Sequence, residues 1–281
     1  MARKGTVETT FVEGDTRPAG HIFYVPVSDR PGDDHDDRKH FLLTDCGSGR
    51  LATLAAMTTK PGEVNFGANV YEIKNPNAVL KAGQVGSFVA PYQLIFRNGH
   101  LLDRSVDAEP SHLPGVLDAV RDALGIGTGL PRPGYHPKSL RGRLVRLTDE
   151  AKDIVFFRYA FILTRHEYSS ARRWQLLLPV LHAPSLPVDA WTLEPVDISS
   201  WRGGLPKDWG RVLLMTERIV SLSQGEPRAK GREADLPNEI EFVLSERIDE
   251  GSLAQVEAAL VTRLGLPAPA VAPPALAPSQ L

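Results

Sequence analysis

A single cysteine, Cys46, is all the thiol chemistry this chain has. An internal disulfide is therefore excluded, and the reading is of a protein of the reducing cytosol, cytoplasmic in location. No charge of one sign dominates: 32 Lys and Arg stand against 34 Asp and Glu, for a formal net charge of −2. No basic field covers the molecule, so any site for a polyanion must be a local patch. Aromatics are 7% of residues, which leaves few platforms for stacked bases. No apolar run is long enough to span a bilayer. Behind Met1-Ala2-Arg3-Lys4 there is no apolar stretch, so a signal peptide is not expected. The zinc-deaminase, H-E-x-x-H, Walker and G-x-S-x-G patterns are all missing, and neither a metal nor a cofactor is expected. Cys46 has no His at motif spacing and is a poor candidate nucleophile.

What is present is a unit that occurs twice. The 281 residues suffice for two ordinary domains, and 42% hydrophobic with 23% charged residues is the range of a globular protein. Near the end of each half lies a stretch with apolar residues at helical spacing. Leu113, Val116, Val120 and Leu124 match Leu253, Val256, Leu260 and Leu264. Each stretch stops at a glycine, Gly125 or Gly265. A repeat of roughly 120 residues is domain-sized, and a duplicated domain can fold as a pseudo-dimer.

The pattern before each helix reads as short strands. In the first half these are His21 to Val25, Phe41 to Thr44, Leu51 to Thr59, Asn69 to Lys74, and Ser87 to Phe96, where Pro91 argues for an edge or a bulge. In the second they are Gly142 to Leu147, Phe156 to Thr164, Trp174 to Leu181, and Arg211 to Leu222. Strands followed by one helix suggest a small antiparallel barrel. The expected organisation is a lead-in over 1–19, one copy over 20–126, a linker over 127–141, a diverged copy over 142–266, and an Ala/Pro-rich tail over 267–281. Gly125 to Gly129 has a G-x-G-x-G look, but it follows a helix and precedes none, which reads as linker. Asp33-Asp34-His35-Asp36-Asp37 reads as a solvated acidic loop, since consecutive loop residues do not converge easily on one ion. Trp191, Trp201 and Trp209 lie in or beside a Pro/Gly-rich insertion, where they either tie the insertion down or meet a partner or a base.

Arg158-Tyr159-Ala160-Phe161-Ile162-Leu163-Thr164 is close to an Arg-Pro-led apolar strand, and Lys39-His40-Phe41-Leu42-Leu43-Thr44 occupies that place in the first copy. Ala55-Ala56-Met57-Thr58-Thr59-Lys60 looks like a strand ending in a functional Thr. Leu178-Pro179-Val180-Leu181-His182 is its counterpart and has lost the Thr. Val85 to Gln93 fits a later strand and keeps only its Gln. In this order of elements the chain resembles the MazF/PemK (Kid) family of type II toxin-antitoxin endoribonucleases. The resemblance implies a mainly β fold with α, as two SH3-like or CcdB-like antiparallel barrels, each with a C-terminal helix, arranged as a pseudo-dimer. It also implies metal-independent cleavage of single-stranded RNA, with a protein antitoxin as partner.

Such cleavage needs a base for the 2′-hydroxyl, an acid for the leaving oxygen, and a donor to stabilise charge on phosphorus. By position, the first copy offers Lys39, with Arg38 beside it, and Thr58, while the second offers Arg158 and no Thr. Lys is a point charge, whereas Arg38 carries a planar fork. His40 titrates near neutral pH and is the candidate acid or base, against the alternative of a plain strand histidine. Lys60 and Gln93 are the candidate substrate contacts. Because both copies depart from the expected pair, a non-catalytic module that binds protein or RNA is the alternative reading.

Overall fold

The computed structural model describes residues 9–10, 12, 14–25, 38–47, 51–58, 70–73, 87–98, 102, 104–135, 139–148, 158–167, 174–182, 196–198, 201, 208–209, 212–214, 219–223 and 240–266. The acidic run at 33–37, Lys60, Trp191 and the tail at 267–281 lie outside them. Among the described residues the protein is mainly β, as expected, with two large antiparallel sheets, each followed by one α-helix, and a small two-stranded sheet that pairs Thr16–Arg17 with Cys46–Gly47. In the first half the strands are β1 (Thr9–Thr10), β2 (Thr16–Arg17), β3 (His21–Val25), β4 (Arg38–Leu42), β5 (Cys46–Gly47), β6 (Leu51–Thr58), β7 (Tyr71–Ile73), β8 (Ser87–Asn98) and β9 (Arg104–Ala108). Helix α1 (Leu113–Leu124) follows. The second half holds β10 (Arg143–Leu147), β11 (Tyr159–Ile162), β12 (Trp174–His182), β13 (Val196–Asp197), β14 (Val212–Leu214), β15 (Val220–Ser223), β16 (Ile240–Arg247) and α2 (Glu250–Leu264).

The two sheets have the same strand order. The first runs β1-β9-β3-β4-β6-β8-β7, and the second runs β16-β10-β11-β12-β14-β13, with β15 also on β12. Register matches residue by residue. Ile22 pairs Phe41 as Leu144 pairs Phe161, and Leu42 pairs Leu54 as Ile162 pairs Leu177. The Gly20 N–H donates to the Leu42 carbonyl at 2.8 Å, and Gly142 donates to Ile162 at 2.8 Å. Both glycines have positive φ (84° and 74°), which side chains avoid. The long β8 corresponds to the two pieces β14 and β15, so the stretch read as one strand from Arg211 to Leu222 is split. Pro91 sits where β8 leaves register with β6, between the pairs Ala55↔Leu94 and Met57↔Val89, a bulge that tolerates a missing N–H.

Alternation along the strands builds three apolar layers. One core runs through both halves: Ile22, Phe41, Val89, Val116 and Val120 pack in the same cluster as Leu144, Phe161, Leu176, Val256 and Leu260. On its other face each sheet covers a smaller core, Phe23, Val25, Leu42, Cys46 and Leu54 in the first and Val145, Leu147, Ala160, Ile162 and Leu177 in the second.

Arg141 stitches the junction. Its side chain is wholly buried. It donates to the carbonyls of Gly129 (2.8 Å), Leu124 (2.6 Å) and Gly125 (2.9 Å), to that of Leu163, and to the Glu257 carboxylate at 2.7 Å. Two bonds of its fixed fork thus satisfy carbonyls at the C-terminal end of α1, which a helix otherwise leaves open, and the rest tie that end to the following segment, to Leu163 and to α2. The Gly-rich stretch after α1 spends its amides within the molecule. Gly127 N–H donates to Glu257 at 3.0 Å and Leu130 N–H to Glu250 at 3.2 Å.

Candidate functional site

Of the candidate residues, Arg38, Lys39, His40, Thr58 and Gln93 lie on the neighbouring strands β4, β6 and β8 of the first sheet, and Arg158 lies in the second half. Arg38 opens β4 opposite Val25, and Lys39 pairs Tyr24. His40 pairs Ala56. Continuing that antiparallel register two steps sets Arg38 beside Thr58, the last residue of β6, with Cα atoms about 5 Å apart. Arg38, Thr58 and Gln93 are located here by strand position alone. Thr58 in turn pairs Phe88 on β8.

The second sheet prints the same arrangement with other residues. Tyr159 pairs Val180, so the preceding Arg158 falls beside Leu181. The Leu147 N–H donates to the Arg158 carbonyl at 2.8 Å, at the place where Val25 meets Arg38. Register therefore makes Arg38, and not Lys39, the counterpart of Arg158. Lys39 is the counterpart of Tyr159. Arg158 is exposed. Its neighbour Leu181 cannot donate a hydrogen bond, so the Arg–Thr pairing exists in the first sheet alone.

Lys39 and His40 are consecutive on a strand and so leave it on opposite faces. Lys39 stands half-buried over the Tyr24 ring, its Nζ 5.7 Å from the centroid, and Tyr24 is 45% exposed. A cation over an exposed ring is a contact that suits phosphate and base together. His40 is only 4% exposed and occupies the strand position that Ala160 fills in the second sheet's smaller core. It therefore does not share a pocket with Lys39. Cys46 is buried, which pushes its thiol up to about 11, and it has no nucleophilic character at neutral pH.

Two tryptophans of the insertion are anchors. Trp209 meets Tyr159 edge-on at 4.8 Å, and Trp201 meets Phe161 at 5.2 Å; both are under 9% exposed.

Two side chains that no spacing singles out meet on the sheet face opposite Thr58, in the row of Met57. Tyr71 pairs Val89, which pairs Met57. The Tyr71 hydroxyl is 3.1 Å from Nδ1 of His112 at the start of α1. Among the described residues no group of three or more His, Cys, Asp or Glu could hold a metal ion, and no helix is long and apolar enough to cross a membrane.

Fold and register define a mainly β protein whose two large sheets repeat one strand order around a shared core. No family model matches the chain, and no curated protein matches it. Among solved structures, MazF from Deinococcus radiodurans (crystal form I) is similar, at 16% identity and a TM-score of 0.30. The match covers 40% of this chain and 98% of that one.

Proposed function

We propose that the chain is a tandem MazF/PemK-like protein that cleaves single-stranded RNA at the end of its first sheet. Copy one, residues 20–126, carries the site, and copy two, residues 142–266, is its structural partner in a pseudo-dimer. A protein antitoxin is the partner that blocks the site. The observation that supports this reading is the pairing of His40 with Ala56, whose continuation by two steps would bring Arg38 opposite Thr58. The resemblance assigns this pair of residue types to charge stabilisation and protonation. An Arg fork and a hydroxyl at neighbouring strand positions are suited to the equatorial oxygens of a phosphorane. The attack of the 2′-oxygen on phosphorus expels the 5′-oxygen and leaves a 2′,3′-cyclic phosphate.

The test is cleavage of single-stranded RNA by the whole chain in EDTA, with end-group analysis of the products. Arg38→Ala and Thr58→Ala are each expected to lose about 10²–10³ in rate, the usual effect of removing one donor to a developing oxyanion. Arg158→Ala is expected to change little. Absence of cleavage at high protein concentration would instead favour a non-catalytic binding module.

A further inference from the structure

The stretch that joins the two halves carries charge of one sign. Residues 123–148 hold no Asp or Glu, yet include Arg132, Lys138, Arg141, Arg143 and Arg146, in a chain whose net charge is −2. Lys138 lies outside the described residues. Arg141 is buried on Glu257, and Arg146 meets Glu241 at 3.0 Å, so both are spent within the molecule. Arg132 is exposed and Arg143 is half-buried. Strand β16 sets a further guanidinium, Arg247, directly opposite Arg143. The matching pair in the first sheet is His21 and Ala108, so the two facing cations belong to the second copy alone.

Arg132 and Tyr135 close a β-turn. The Tyr135 N–H donates to the Arg132 carbonyl at 3.1 Å, and between them Pro133 is followed by Gly134 with φ 82°. Proline then a left-handed glycine is what a type II turn demands, and such a turn holds its end residues within about 7 Å between Cα atoms. The turn thus presents an exposed cation beside a ring that is 79% exposed. The arginine pair is close by. Leu130 packs on Gly142, where a Cβ would stand 2.5 Å from the Leu130 Cδ2. Arg132 is two residues from Leu130 and Arg143 is one from Gly142, which keeps their Cα atoms within about 20 Å. Arg247 is held in place, donating from Nε to the Arg141 carbonyl at 3.2 Å and from Nη2 to the Ser139 carbonyl at 2.8 Å. Like charges directly opposite on neighbouring strands repel. Burial, then Arg143, pulls the Arg247 pKa down, whereas at Arg141 the Glu257 carboxylate opposes the pull of burial.

We propose that Arg132, Tyr135, Arg143 and Arg247 form a second contact for single-stranded RNA, separate from the Arg38–Thr58 site. The proposal takes its ligand class from the ribonuclease reading and its place from the turn and the arginine pair. The guanidinium forks take phosphates, and the Tyr135 ring takes the face of one base. A ring beside cations distinguishes the ligand. A duplex keeps its bases stacked with each other, and an acidic peptide would need the cations alone. The contact lies in the second sheet, at the end of β10 away from Leu147, whose N–H meets the Arg158 carbonyl. It is therefore a holding surface and takes no part in the chemical step. In a molecule of slight negative charge, a local patch of this kind is what draws a polyanion in.

The experiment is binding of a short, labelled 2′-O-methyl oligouridine to the full chain, followed by fluorescence anisotropy across a salt series, with urea unfolding measured beside it. The probe has no 2′-hydroxyl and is not cleaved. Tyr135→Ala is expected to weaken binding about 5–100-fold at an unchanged urea midpoint, while Tyr135→Phe stays within about twofold of wild type. Arg132→Ala and Arg143→Ala should each weaken binding and lower the slope of log K against log salt by about 0.7, one phosphate contact apiece. In cleavage of ordinary RNA, Arg132→Ala with Tyr135→Ala should raise KM and leave kcat unchanged. Wild-type affinity and slope in all three alanine variants would overturn the second contact, and cleavage by the same protein would leave the ribonuclease reading standing. Polyglutamate bound as tightly as the oligouridine, with no effect of Tyr135→Ala, would overturn it in favour of an acidic protein segment. A wild-type protein that holds the probe through these residues but cleaves no RNA would support the contact and remove the ribonuclease reading.

Discussion

Arg141 shows how one side chain can decide whether the two halves hold together. It is wholly buried and carries one ion pair, to Glu257, with four backbone carbonyls around the rest of its fork. Burial pulls the guanidinium pKa down, and Glu257 opposes that pull. Breaking such a pair from one side strands both the carboxylate and the carbonyls. Arg141→Ala is expected to lower stability by about 3–5 kcal/mol in urea unfolding. Arg141→Lys should recover little, because an ammonium cannot reach four carbonyls and a carboxylate at once. A loss below about 1 kcal/mol for Arg141→Ala would mean that the junction does not depend on it. Nothing in the sequence marks this residue. It is one of several arginines around Gly142, and its partners come from α1, the segment after it, Leu163 just past β11, and α2. By contrast, the placement of Thr58 at a strand end was legible, because alternation ends there. Which of Arg38 and Lys39 corresponds to Arg158 was not legible, because only strand pairing fixes a one-residue register.

Elements with strong periodicity were readable, and strands without apolar alternation were not. Both helices follow from apolar residues at 3.6 spacing ended by Gly125 and Gly265, which take left-handed φ of 66° and 58°. The strands β9 and β16 went unread in both halves. In β9 the inward residue is Ser105, wholly buried and hydrogen-bonded to main-chain carbonyls, so no apolar alternation announces it. The two helix starts also carry opposite pH signatures. Hydrogen bonds from Ser252 hold the Asp249 carboxyl below its ordinary value. That stabilisation is present above the ordinary carboxylate range and is lost as pH falls through the lowered folded value. Burial, then Asp107, raises the Glu109 carboxyl, with His112 opposing. Its sign is reversed: the favourable contribution is present below the ordinary range and is lost as pH rises through the raised value. Asp249→Ala should therefore cost about 1 kcal/mol at neutral pH, with the gap to wild type closing in acid. Glu109→Gln should cost no stability at neutral pH. Urea midpoints across a pH series check both, and a pH-independent gap for Asp249→Ala would refute the charged-cap account.

At the scale of the whole molecule the repeat and the shared core make different demands. Two sheets with matching strand order suggest two units that could fold apart. The packing opposes that: the largest core draws on both sheets and both helices, and Arg165 from the second half donates its amide to Ala123 of α1 at 3.0 Å. Each half alone would leave its share of that core, Ile22, Phe41 and Val120 or Leu144, Phe161 and Leu260, facing water. Residues held in one continuous core unfold together, so a single cooperative transition is expected. The sequence itself supplies a probe for each half. All four tryptophans, at 174, 191, 201 and 209, lie in the second half, while the lone thiol, Cys46, lies in the first and is 2% exposed. Tryptophan emission and the labelling of Cys46 by a thiol reagent during urea unfolding therefore report opposite halves. The two curves should share one midpoint, and Arg141→Ala should shift both by the same amount. Labelling of Cys46 at a urea concentration where tryptophan emission is still native would show that the halves unfold separately, and that the copies are joined by their linker more than by their core.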